Sequence, residues 1–207
     1  MSQISFRYKP KWSCCCSCRF SGQFLGINPN ARFLNDDQQV EGIQLVTSFR
    51  QVRQLQVRLG ECARGPTDFF PAMWSVNLLP ENISILETEP HFVIPKPCGT
   101  RYLLYVDPSG QIFLENNAQN IFRIDDDHAI KLISSDGQPI TDTILDGKIT
   151  RVADNRPDAG RLTFVITDAT LCRGVSLRTK NISQRIAFVR VIKMNRIKFK
   201  LNELINV

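Results

Sequence analysis

Lys96-Pro97-Cys98-Gly99-Thr100-Arg101-Tyr102 is the segment of this 207-residue chain whose residue types and spacing could do chemistry. A lysine ending one strand, a tight glycine turn and an arginine opening the next strand would set an amine and a guanidinium on one side of a sheet. An ammonium that is desolvated, or that sits beside another cation, has a lowered pKa and becomes nucleophilic, while an arginine forks onto phosphate or ribose oxygens. The pattern suits a nucleotide. Taken alone, K-x-x-G-x-R also arises wherever a lysine happens to precede a turn.

The elements that must position this segment are legible as strands. Short β-branched or aromatic runs stand at 91–94, 101–106 and 111–114, and Asp107-Pro108-Ser109-Gly110 between the last two predicts a hairpin. A further strand is expected at 121–124, before the acidic loop Asp125-Asp126-Asp127. The turn Ser135-Asp136-Gly137-Gln138 and the Asp146-Gly147 pair are expected to punctuate two more strands, with 162–166 the most apolar. A helix is expected over 48–60: Ser48 caps it, Phe49, Val52, Leu55 and Leu59 form its apolar stripe, and Gly60 stops it. Arg50, Arg53 and Arg58 would then face away from the core. Helical spacing returns over 182–192, at Ile182, Ile186 and Val189. The sum is α+β with an antiparallel sheet and no internal repeat.

Composition sets the bounds. With 26 Lys+Arg against 20 Asp+Glu and 43% apolar residues, the chain is expected to be a globular domain that needs no disulfide scaffold. No run of about 18 apolar residues exists, so no membrane span is expected, and the basic start lacks the apolar stretch of a secretory signal. An organellar transit peptide is the alternative for that start. Cys14, Cys15, Cys16 and Cys18 are too close to pair with one another, and they lack the second pair of a zinc site, so residues 1–30 are expected to be a basic, unstructured tail carrying reduced thiols. Asp125-Asp126-Asp127-His128 is expected to be a solvated turn rather than a metal cluster, and Cys62 and Cys172 to be small core residues. From Arg185 to Lys200 six basic residues occur with no acid, as a polyanion-binding surface or simply a solvated face would have.

Six segments in order carry a resemblance. Ala31-Arg32-Phe33 through Val40-Glu41-Gly42 and Gln44-Leu45-Val46-Thr47 form the first, and the stretch from Phe70-Pro71 to Asn82-Ile83-Ser84-Ile85-Leu86 the second. Lys96 to Tyr102 is similar to K-A-D-G-T-R-Y, Ile144-Leu145-Asp146-Gly147 to L-L-D-G-E, and Leu162 to Asp168 to Y-L-I-Y-D. Asn181 to Arg190 resembles the N-V-R-L-x-x-I-x-R segment that follows. The chain resembles the guanylyltransferase part of metazoan mRNA capping enzymes over residues 31–207, which implies a nucleotidyltransferase fold of the kind shared with ATP-dependent DNA ligases. By that resemblance Lys96 is the nucleophile, forming a lysyl-GMP adduct from GTP with Mg2+ or Mn2+. Thr100, Arg101, Asp146 and Asp168 are nucleotide contacts, Phe122 a wall for the guanine, and no protein-held metal is implied. Asp168 is equally open to a structural hydrogen-bonding role. The implied partners are GTP, the 5′ end of RNA and RNA polymerase II-associated machinery; the implied location is the nucleus.

The chain departs from the pattern at three charged positions. Cys98 stands where the family has Asp, Lys148 where it has Glu, and Glu115-Asn116 where it has Asp-Arg. No second D-G-L-I-F-like segment, no W-K-P strand, no OB-type lid and no H-C-x5-R loop is found, so the expectation is the first half of a nucleotidyltransferase domain without a fused RNA triphosphatase. Two functions follow: a guanylyltransferase-like domain, or an inactive module that keeps a nucleotide, RNA-end or protein-binding surface.

Overall fold

The hairpin predicted around Asp107 is the centre of the fold. The computed structural model describes residues 27–34, 40–63, 79–88, 97–125, 131–151, 162–190, 192–195 and 202–203. β2 (Thr100–Val106) pairs antiparallel with β3 (Ile112–Asn116). The Asp107 carboxylate closes the turn by accepting the amides of Ser109 and Gln111 at 2.8 and 2.9 Å, and Gly110 takes the φ of +91° that the last turn position requires. β4 (Ile121–Ile124) lies against β3, and β1 (Ile43–Leu45) against β4. On the other side β6 (Thr143–Arg151) pairs with β2, and β7 (Leu162–Cys172) with β6. β8 (Val175–Ser176) and β10 (Asn202–Glu203) both pair with β7, β10 being the parallel one, so the order is β1-β4-β3-β2-β6-β7-β10 with β8 beside β7. β5 (Lys131–Ser134) and β9 (Ile192–Asn195) form a separate antiparallel pair. The expected α+β architecture with a mainly antiparallel sheet is what the chain adopts.

Alternation along each strand sends side chains to opposite faces, and here both faces are covered. Tyr102, Leu104, Val106, Leu114, Phe122 and Leu145 fill one layer; Leu103, Tyr105, Phe113, Ile121 and Ile144 fill the other. That double burial explains why β2 reads as a continuous apolar run. On the first face the Tyr102 hydroxyl donates to the carbonyl of Phe33, whose ring lies 5.0 Å from that of Tyr102 and 5.4 Å from that of Phe122. The second face is covered by α1 (Phe49–Ala63) through Val52, Leu59 and Cys62.

Three expectations are corrected by packing. Gly60 does not stop α1: it is buried within the helix, which runs on to Ala63. Phe49, placed on the apolar stripe, is 61% exposed, whereas Gln56 is buried on that stripe, four residues from Val52 and three from Leu59. Asp146-Gly147 does not break the chain but lies inside β6, where the β6–β7 register shifts. The strand expected at 162–166 continues to Cys172. α2 (Ile85–Thr88) is a single turn. α3 (Ile182–Arg190) opens on a reciprocal cap in which the Gln184 amide donates to Asn181 Oδ1 at 2.9 Å and the Asn181 amide to Gln184 Oε1 at 3.2 Å. Cys62 and Cys172 are buried, as expected, and Cys98 is exposed. The strand expected at 91–94, residues 1–26 and Asp126 to His128 lie outside the described residues. No described helix is long and apolar enough to cross a membrane.

Candidate functional site

The β2–β6 register sets Arg101 opposite Lys148 and Leu103 opposite Asp146; the β2–β3 register sets Leu103 opposite Glu115. Directly opposed residues of antiparallel strands share a face. Arg101, Lys148, Asp146 and Glu115 therefore share the face that α1 covers, and Asp168 of β7 stands opposite Asp146. Two cations and three carboxyl groups are thus gathered within two adjacent rows of the sheet.

Arg101 forks onto Asp146: Nε donates to Oδ1 at 2.9 Å and Nη2 to Oδ2. This joins the two motif segments across 45 residues of sequence. Burial pushes the Asp146 carboxyl up and the neighbouring charge of Asp168 adds to that, against the pull of Arg101. Glu115 is 2% exposed, its Oε2 has no hydrogen-bond partner among the described residues, and burial pushes its carboxyl up to about 8, so it is mostly protonated at neutral pH. Two glycines make the geometry possible. Gly99 has φ +139°, and a Cβ there would collide with the carbonyl oxygen of Ile149; one at Gly147 would stand 2.5 Å from the Val165 carbonyl oxygen and 2.7 Å from the Phe164 ring. Each glycine of the K-x-x-G-x-R and D-G segments is required by a strand pressed against it.

Asp168 is engaged elsewhere. Arg185 of α3 donates from Nε to its Oδ1 at 2.7 Å and from Nη2 to its Oδ2 at 3.0 Å, and the Ala169 amide also reaches Oδ1. The structural role left open for Asp168 is therefore the one its contacts fill. Arg185, grouped by sequence with a basic surface stretch, is 8% exposed and belongs to the interior. Its place on the helix could have been found: it lies three residues from Ile182 and four from Val189, on the stripe those two define. Phe122 is not brought to the group. It pairs with Leu114, faces the opposite layer, and at 2% exposed is a core ring packed on Phe33 and Tyr102. Thr100, opposite Ile149, starts β2 on that same far face. Lys96 lies outside the described residues.

The donor set does not fit a resident metal. Both oxygens of Asp146 and of Asp168 face guanidinium groups, Lys148 adds a cation to the next row, and among the described residues no group of three or more His, Cys, Asp or Glu could hold an ion. What the arrangement offers a nucleotide is the Arg101 guanidinium, a cation for phosphate oxygens.

The family described as mRNA capping enzyme, catalytic domain, matches residues 35–205. The chain belongs to that family. The mRNA-capping enzyme of Caenorhabditis elegans is 22% identical to it over 186 residues, which is 88% of this chain and 29% of that protein. The chain therefore spans under a third of the length of this curated relative. The K-x-x-G-x-R and D-G segments that the Arg101–Asp146 bond joins both fall inside the matched range.

Proposed function

We propose that this chain is a guanylyltransferase-like domain that takes GMP from GTP through Lys96 and passes it to the 5′ diphosphate end of RNA, acting in the nucleus. The supporting observation is the bond between Arg101 and Asp146, which brings the two motif segments together on one sheet face. The neutral Lys96 amine attacks the α-phosphorus: an N–P bond forms, the P–O bond to pyrophosphate breaks, and the amine proton goes to solvent. A terminal oxygen of the RNA diphosphate then displaces the lysine, which recovers its proton. Arg101 neutralises phosphate charge during both steps, and positioning supplies most of the rate.

A second reading, a module that binds GTP or an RNA end without turnover, is favoured by Lys148 in place of a carboxylate and by Asp146 being fully engaged by Arg101. Incubating the full chain with α-labelled GTP and Mg2+ or Mn2+ separates the two. A covalent, acid-labile label that disappears in Lys96→Ala supports transfer. Saturable GTP binding with no label at high protein concentration supports the binding module.

A further inference from the structure

The outer face of α1 carries an open groove of roughly 460 Å3, the size of a nucleotide site. Phe49 and Val57 supply its apolar floor, Arg50, Arg53 and Arg58 its cations, and Glu61 its one acid. Helix stability does not account for this pattern. The first turn of a helix favours acids, yet α1 has none there and places Arg50 against the positive end of the macrodipole. Nor does core packing account for Phe49, which leaves 61% of its surface exposed beside those arginines. Guanidinium groups around an accessible aromatic ring are what a single-stranded nucleic acid needs: cations for its phosphates and a platform for a base.

The position relative to the sheet supplies the direction. The Val46 amide donates to the Ile121 carbonyl just before α1 begins, and Ile121 stands opposite Glu115 in the row that continues through Leu103 to Asp146. The start of α1 is therefore anchored at the row that holds the site, while Arg58 reaches Asp142, ahead of β6 at the other end. We propose that the outer face of α1 is a track for the RNA strand whose 5′ end the sheet-face site engages, with Phe49 stacking on a base and Arg50 and Arg53 holding phosphates. Naming RNA as the occupant rests on the capping reading; the groove and its charge do not.

The test is fluorescence anisotropy of a labelled 12-nucleotide RNA bearing a 5′ diphosphate, titrated with the full chain at several salt concentrations. Arg50→Gln with Arg53→Gln should weaken binding about tenfold at low salt and make the slope of log affinity on log salt shallower by about 1.4, at about 0.7 per lost phosphate contact on a single strand. Phe49→Ala should weaken it at least about fivefold with the slope unchanged. Arg101→Lys, which keeps a cation beside Asp146 but loses the guanidinium fork, should weaken GTP binding while leaving the α1-dependent part of RNA affinity intact, so failure of the sheet-face site and failure of the track are read separately. Because the variants could perturb folding, ultraviolet crosslinking of the same RNA to the parent chain is the independent measurement, with crosslinks expected in the 49–61 peptide. The proposal is overturned by unchanged affinity and slope in the double arginine variant, by crosslinks that all map elsewhere, or by an acidic phosphopeptide that depends on Arg50 and Arg53 while RNA does not.

Discussion

Arg101 and Asp146 hold each other in a nearly dry setting, the Asp146 side chain being 5% exposed and that of Arg101 21%. Such a pair is asymmetric: forming it gains little over an apolar alternative, but removing one partner strands a buried charge. Arg101→Met is therefore expected to cost on the order of 3–5 kcal/mol in urea unfolding. Adding Asp146→Asn should restore part of that loss, and a double variant no more stable than Arg101→Met would refute the coupling. Lys148 lies directly across from Arg101, so a carboxylate there would pair with Arg101 and leave Asp146 freer to meet a metal-bound triphosphate. Cys98→Asp with Lys148→Glu is expected to raise GTP affinity about tenfold or more, about 1–3 kcal/mol per recovered contact. Calorimetry with GTP and Mg2+ measures this, and an affinity no better than the parent's would place the defect outside these two positions.

At the scale of elements, α3 is fixed to β7 by one buried fork, Arg185 on Asp168, with Arg185 Nη1 also donating to the Lys180 carbonyl at 2.7 Å. Arg185→Leu should destabilise the chain by about 3–5 kcal/mol and release α3 first, read as faster amide exchange over 182–190 than over β2. Equal exchange in both would mean that the helix is held by Val189 and its apolar neighbours instead. Gly147→Ala is expected to cost several kcal/mol, about 1–3 from overpacking alone and more because the obstacle is backbone. Much of this architecture was legible in the sequence. The β2–β3 hairpin follows from Asp107 to Gly110, β4 from Ile121 to Ile124, and α3 from Ile182, Ile186 and Val189. What sequence could not give was the consequence of pairing. Asp146-Gly147 has turn-forming residue types, yet it lies within β6 because the β7 backbone needs the space a side chain would fill. Phe122 was assigned to a site by resemblance, but the β3–β4 register decides its face. Gly60 ends a helix only where the chain must turn, and there it packs instead.

For the whole molecule, every buried group with a resolved shift moves in one direction. Burial raises the carboxyls of Glu115 and Asp146, the thiols of Cys62 and Cys172 and the phenols of Tyr102 and Tyr105. Asp136, lowered by hydrogen bonds in its turn, is a fully exposed exception. A group whose pKa is raised by folding holds its proton longer in the native state, so between the two pKa values the unfolded chain binds fewer protons and stability falls as pH rises. For Glu115 the window runs from its ordinary value of 4.5 to about 8. Full stability is present below that window and lost through it, by an amount on the order of 3–5 kcal/mol. The chain is therefore expected to unfold at lower urea at pH 8.5 than at pH 5.5, even though its formal charge of +6 would shrink over the same range and relieve self-repulsion. Glu115→Gln keeps the shape and removes the titration, so it should raise the urea midpoint at pH 8.5 and flatten the profile between pH 5 and 8. The thiols and phenols act mainly at higher pH, and because the two histidines and the α-amino group ordinarily titrate within this interval, the difference between the parent and Glu115→Gln profiles is what isolates Glu115. A parent profile that is level or rising from pH 5.5 to 8.5, or one that Glu115→Gln leaves unchanged, would show that Glu115 meets water or a partner in solution and is ionised in the native state.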